Sequence, residues 1–153
     1  MGNENLAEIV SFEESFDRIR NIAQRIKHKP VVIGVYGLQN HGKTYFTRKA
    51  FDRLAKGSNP FSVLTTKDNK RLVDSHLGYF DRAEFYFVEA ATTPEREFVL
   101  RETNREFRNI KGRDIDLNVL ILNPNLYKAD IGECRRIYNL IIENPDSKIK
   151  GMV

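Results

Sequence analysis

The chain carries one cysteine in 153 residues, Cys134. A single thiol excludes an internal disulfide and fits a reducing, intracellular setting. With no His/Asp constellation around it, Cys134 is expected to pack on a helix face and not to act as a nucleophile. No apolar run approaches the roughly 20 residues that a membrane span requires, so no membrane partner is expected. The opening residues Met1 to Leu6 are acidic and lack the apolar region of a signal peptide, which points to a cytoplasmic location. Leu6 also stands where a myristoylation signal has Ser or Thr. Glycine/serine linkers, internal repeats and low-complexity tracts are absent, and the length suits one domain spanning 1–153. The net charge is +4, yet the Lys and Arg residues are interleaved with acids. That reads as a solvated basic surface suited to a small anionic ligand, with nucleic acid not expected as the partner.

What is present begins with a capping box, Ser11-Phe12-Glu13-Glu14, in which Ser caps and Glu follows three residues on. Phe12, Phe16, Ile19, Ala23 and Ile26 then recur at helical spacing, predicting an amphipathic helix over 11–29 that ends before Pro30. Its apolar stripe serves either to dock on the domain or to meet a partner. Five strands follow: Val31–Val35, Phe61–Thr66, Phe85–Val88, Leu117–Leu122 and Tyr138–Glu143. The third is fully apolar, as a strand buried on both faces must be. Helices are predicted over 43–56, from Thr92 to about Lys111 with Pro94 in its first turn, and over Ile131–Arg136. The pattern between 68 and 82 is weak. Strands alternating with helices imply an α/β fold, a three-layer sandwich with a five-stranded parallel sheet. Ligands of such sheets bind at the carboxyl ends of the strands, so function belongs on that rim.

On that rim, Gly37-Leu38-Gln39-Asn40-His41-Gly42-Lys43-Thr44 spells G-x-x-x-x-G-K-[ST] between a predicted strand and a predicted helix. This is the context that a phosphate-binding loop requires. Gly37 and Gly42 allow close backbone approach, so that successive N–H groups can surround phosphates. The helix starting near Lys43 points its positive end at the same anion. Lys43 is expected to reach the β- and γ-phosphates, and Thr44 to offer its hydroxyl to Mg²⁺. Tyr45 completes the nucleotide-binding set, and His41 reads as a spacer. Glu89, ending the third strand, is the candidate second Mg²⁺ ligand.

Asp68 has two readings, a base that accepts the proton of an attacking hydroxyl or an acid in a solvated turn; Asp74 is the weaker substitute. Arg135 and Arg136 also have two, cations that swing over the phosphates or ordinary charges on a helix surface.

The chain resembles the uridine-kinase-like branch of the phosphate-loop kinases. The resemblance is carried by Val31-Val32-Ile33-Gly34-Val35-Tyr36-Gly37 leading into Gly42-Lys43-Thr44, by Phe87-Val88-Glu89, and by Ile141-Ile142-Glu143-Asn144-Pro145. It implies the sheet order 2-3-1-4-5, ATP (or GTP) with Mg²⁺ as cofactors, and phosphoryl transfer to a hydroxyl of a small acceptor such as a nucleoside. It also implies base contacts from the Asn144–Ser147 loop, Asn144 and Pro145 first. The chain has Thr65-Thr66-Lys67-Asp68 where the family is Asp-rich, Ala90 where it has Gly, and a reduced lid over 123–137. Two alternatives remain. One is a stand-alone NTPase or GTPase switch: Asn40–Thr44 is similar to the loop of translation-type GTPases, and Tyr127-Lys128-Ala129-Asp130 is a displaced form of their guanine-reading motif. The other is a degenerate nucleotide-binding module that acts through a partner.

Overall fold

In the computed structural model the described residues are 6–37, 42–54, 63–66, 83–91, 95–125 and 130–145. They form β1 (Glu8–Ser11), α1 (Phe12–Ala23), β2 (Val31–Gly37), α2 (Lys43–Leu54), β3 (Val63–Thr66), β4 (Phe85–Ala91), α3 (Arg96–Lys111), β5 (Leu117–Leu122), α4 (Ile131–Ile137) and β6 (Leu140–Glu143). Every strand pairing is parallel. The sheet has six strands in the order β1-β6-β5-β2-β4-β3.

That sheet differs from the five-stranded expectation by β1, which adds at the edge beside β6, Glu8 opposite Leu140 and Ser11 opposite Glu143. Four residues with only Val10 buried give no readable alternation, so the strand left no periodic signal. The five expected strands, numbered in chain order, lie 2-3-1-4-5 from the β3 edge inward, followed by the unexpected one. Helix α1 has its capping box as expected, the Ser11 hydroxyl accepting from the Glu14 N–H and the Glu14 carboxylate accepting from the Ser11 N–H. It stops at Ala23, six residues earlier than expected, and residues 24–26 continue as turns bonded back to Arg20, Ile22 and Ala23. Tyr138, expected to open the last strand, instead ends α4 by donating its N–H to the Cys134 carbonyl.

Strand alternation sends Val31, Ile33 and Val35 to one face and Val32 and Tyr36 to the other. Phe16 and Ile19 of α1 and Phe46, Ala50 and Leu54 of α2 pack on the first face with Phe87, Val119, Ile121 and Ile142. Phe107 of α3 packs with Val32, Tyr86 and Val88 on the second. Cys134 of α4 lies fully buried there with Leu120, Ile141 and Tyr138. Helices thus cover both faces of a parallel sheet. Each fully buried Phe, Ile or Leu contributes roughly 1.5–3 kcal/mol, and these side chains fix the strand ends from which the loops emerge. Among the described residues no helix is long and apolar enough to cross a membrane.

Candidate functional site

β2 is buried along its whole length and ends at Gly37. The absence of a side chain there has a direct cause: a Cβ would stand 2.8 Å from the Ile121 carbonyl oxygen of β5 and 3.2 Å from Lys43 Cγ. The Lys43 stem therefore crosses the end of β2 on space that only glycine leaves open. Gly42 has φ 96°, a conformation that L side chains rarely adopt. Its carbonyl accepts from the Phe46 N–H at 2.8 Å and so opens the first turn of α2. Both glycines of the motif are thus required by backbone geometry.

Lys43 and Thr44 begin α2, and the register of β4 against β2 sets Glu89 beside Val35, just below the same rim. Glu89 is only 4% exposed. One carboxylate oxygen accepts from the Thr44 hydroxyl at 3.2 Å and the other from the Thr47 hydroxyl at 2.8 Å. Thr47 also lies 3.0 Å from the Thr44 carbonyl, so its single proton serves one acceptor at a time. Burial pushes the Lys43 ammonium below the ordinary lysine value of 10.5, and the charge of Glu89 opposes that shift. Lys43, Thr44 and Glu89, three residues expected to act together, are gathered at one strand end.

Among the described residues no group of three or more His, Cys, Asp or Glu side chains could hold a metal. Mg²⁺ does not need such a cage: it is held by one or two carboxylates together with substrate phosphates and water. A buried carboxylate hydrogen-bonded to a threonine hydroxyl supplies the hard oxygen donors this ion prefers.

Tyr45 is half-buried and stacks on Phe12 of α1, ring centroids 5.5 Å apart and planes at 22°. The Lys49 ammonium lies 5.7 Å over the same ring. Asn144 is buried directly after β6, its N–H donating to the Leu122 carbonyl, and the Pro145 carbonyl accepts from Asn125 Nδ2 at 3.4 Å. Phe12, Tyr45, Asn144 and Pro145 line, together with Ser11, Glu13 and Glu143, a cavity of about 360 Å³ between α1, α2 and the end of β6. Leu38, Gln39, Asn40, His41, Asp68, Asp74 and residues 146–147 lie outside the described residues.

Arg135 is at the wrong end of the sheet for the expected role over the phosphates, and Arg136 is bonded within its own helix. In a crossover the helix runs back along the sheet, so the last turn of α4 reaches the amino ends of the strands. There Arg135 Nε donates to the Ala7 carbonyl at 2.8 Å, and the Ala7 N–H donates to the Arg135 carbonyl at 2.8 Å. Arg136 donates to Gly132 of its own helix at 3.2 Å. The first is thus a tether for β1, the second a helix-surface residue. Asp130, the acid of the displaced guanine-type motif, is the N-cap of α4, accepting from the Glu133 N–H at 3.1 Å.

Two groups near the site were missed, and only the first carried a signal. Thr47 falls three residues after Thr44 on one helix, a spacing that shares a face. Behind β2, the Tyr36 hydroxyl donates to Asn118 Oδ1 at 2.7 Å and accepts from Asn104 Nδ2 at 3.0 Å. A Cβ at Gly34 would stand 2.9 Å from that Asn118 oxygen. This buried network pins the last residue before Gly37, and burial pushes the Tyr36 phenol up.

Comparison of the chain with protein-family models, with curated proteins and with solved structures gave no match.

Proposed function

We propose that the protein binds a nucleoside triphosphate with Mg²⁺ over the start of α2 and transfers the γ-phosphate to a hydroxyl of a small molecule such as a nucleoside. The observation that carries this reading is the hydrogen bond from the Thr44 hydroxyl to the buried Glu89 carboxylate, one residue from Lys43. An acid buried at a strand end is costly unless something repays it; two hydroxyl donors and an adjacent ammonium do so here. In this reading Gly37 and Gly42 keep the phosphate approach free of side chains, and the first N–H groups of α2 face the anion. Lys43 neutralises the β- and γ-phosphates, and Thr44 and Glu89 hold Mg²⁺. An ion held by Thr44 and Glu89 would polarise phosphoryl oxygens and offset negative charge there.

A nucleotide-binding screen of ATP against GTP with Mg²⁺, in wild type and Lys43→Ala, tests the reading. Binding by the wild type and its loss in a folded variant are expected; equal affinity in both sinks it. Product analysis then separates reaction classes, since a kinase forms the diphosphate only when an acceptor is supplied.

One observation favours a second reading, a nucleotide-binding module that acts through a partner. The connection between β5 and β6 contains only the short α4, whose Arg135 is bonded to Ala7 at the amino end of the sheet and whose Arg136 is bonded to Gly132 of its own helix. Under this reading neither acceptor nor water is phosphorylated at a measurable rate by the protein alone.

A further inference from the structure

We infer that α3 walls a second binding site, separate from the phosphate loop, for a small ligand that bears two or more acid groups, carboxylate or phosphate, and a hydroxyl. Arg101, Arg105, Arg108 and Asn104 are the side chains that hold it. The inference does not rest on nucleotide binding, and it concerns the other side of the sheet: α2 packs on one face and α3 on the opposite one.

Helix periodicity gathers the cations. At 3.6 residues per turn, Arg101, Arg105 and Arg108 fall within about 60° of arc, and the first and last stand about 10 Å apart along the axis. Thr103 and Phe107, on another side of the helix, are buried. A cavity of about 520 Å³ opens on the arginine side, lined among the described residues by Leu100, Arg101, Glu102, Asn104, Arg105 and Arg108. That volume falls within the range of roughly 300–1,000 Å³ typical of small-molecule pockets. Its lining sets three cations against one acid, whereas the cavity beside α1 carries Glu13 and Glu143 and, among the described residues, no cation. An anionic ligand is therefore drawn to the α3 wall and repelled by the other.

The cations are available at little cost. Each guanidinium is exposed and pairs with an acid, Arg101 with Glu97 at 3.5 Å, Arg105 with Glu102, and Arg108 with Asp114. Exposed pairs of this kind are weak. A ligand acid group that accepts two N–H bonds from a guanidinium fork can take the place of a surface carboxylate. Asn104, by contrast, is fixed. Its Nδ2 donates to the Leu100 carbonyl at 2.8 Å and lies 3.0 Å from both the Tyr36 hydroxyl and Asn118 Oδ1. Two protons facing three acceptors leave none for a ligand, so what Asn104 offers the cavity is its carbonyl oxygen, an acceptor. A hydroxyl among the ligand's acid groups supplies the matching donor, and Leu100 gives its carbon frame an apolar contact.

Calorimetric titration of the full chain, without Mg²⁺, with citrate and with tricarballylate (citrate lacking its hydroxyl) tests the site, and amide NMR shifts locate it. Citrate is expected to bind saturably, to shift the resonances of residues 100–108, and to bind Lys43→Ala within about twofold of wild type, since the two sites are far apart. Arg105→Gln should weaken citrate about tenfold, the loss of one charge-assisted contact. Arg105→Lys keeps the charge without the fork and should lose less. The position is exposed, so both variants should keep the wild-type melting curve. Tricarballylate should bind wild type several-fold more weakly than citrate, for want of the bond to Asn104. Absence of saturable citrate binding, or an affinity that Arg105→Gln leaves unchanged, overturns the inference. So does equal affinity for the two acids, or citrate binding that disappears in Lys43→Ala. Tighter binding of hexaglutamate or of an oligothymidylate than of citrate would assign the wall to a macromolecule and overturn the small-ligand site.

Discussion

The two ends of the sheet use their charged groups differently. At the amino end, Asp116 accepts from the Val32 N–H at 2.8 Å and from Arg113 at 2.8 Å, and lies 2.7 Å from His28 Nε2. Arg113 also donates to the Pro30 carbonyl, Lys29 pairs with Glu84 at 3.5 Å, and Arg135 holds Ala7. Charge meets charge or backbone there, and the chain is closed on itself. At the carboxyl end, Glu89 is satisfied by two hydroxyls, and Lys43 keeps its ammonium in a partly desolvated position at the start of a helix. The first arrangement secures strands; the second, in the proposed reading, sets a partly desolvated cation at a helix start toward an anion.

Substitutions can break this contrast, and the largest effect is expected at Lys43. Removing its charge-assisted contacts in Lys43→Ala should weaken triphosphate binding by about a hundredfold, while the fold survives with a modest fall in thermal midpoint, because Glu89 keeps its hydroxyl donors. Calorimetry and a melting curve on the same sample check both halves. Asp116→Ala should do the reverse. It strips acceptors from the Val32 N–H and from Arg113, a loss of about 2 kcal/mol in folding stability by urea titration, with triphosphate affinity of the folded protein unchanged. A binding defect in Asp116→Ala without loss of stability would remove the distinction between the two ends.

The carboxyl-end site was legible where its residues are dictated by local backbone needs. Gly37 and Gly42 are required by a close approach and a positive φ, and both constraints act within a few residues of Lys43. Glu89 was legible because an apolar run leading to a single acid marks a buried strand reaching the rim. Arg135 and Arg136 were left with two readings because their position depends on the direction of a whole element. Once α4 is recognised as a crossover helix its last turn must lie at the amino end, whatever its charge. The edge strand β1 was illegible for another reason: it is too short for periodicity, and its pairing with β6 joins residues far apart in sequence. Likewise the Tyr36–Asn104–Asn118 network joins three elements, and no single stretch of chain announces it.

A subtler change sharpens the carboxyl-end site itself. Glu89→Gln keeps an acceptor for one threonine hydroxyl and removes the negative charge, so the fold should survive. If Glu89 holds Mg²⁺, the Mg²⁺ concentration needed for half-maximal nucleotide binding should rise by about tenfold or more, since losing even a supporting group costs a metal site that much. Binding measured in EDTA should not fall. An unchanged Mg²⁺ requirement assigns Glu89 to fixing Thr44 and Thr47 alone.

The smallest expected effect is one of pH, and it tests why Lys43 is half-buried at all. Burial disfavours the ammonium, so Lys43 loses its proton at a lower pH than an exposed lysine, below 10.5. The protonated form is the one that binds phosphate. Affinity should therefore be constant near neutrality and decline as pH rises, with the decline beginning before an ordinary lysine would titrate. Bound triphosphate favours the ammonium, so binding at alkaline pH should be accompanied by proton uptake, visible as a buffer-dependent calorimetric heat. Lys43→Arg keeps its charge throughout this range, and its affinity, whatever its absolute value, should not follow the same decline. At the amino end Asp116 is already satisfied by Arg113 and the Val32 N–H, and Asp116→Ala should leave the pH profile of binding where it was. A profile that moves with Asp116 and not with Lys43 would reverse the roles assigned to the two ends.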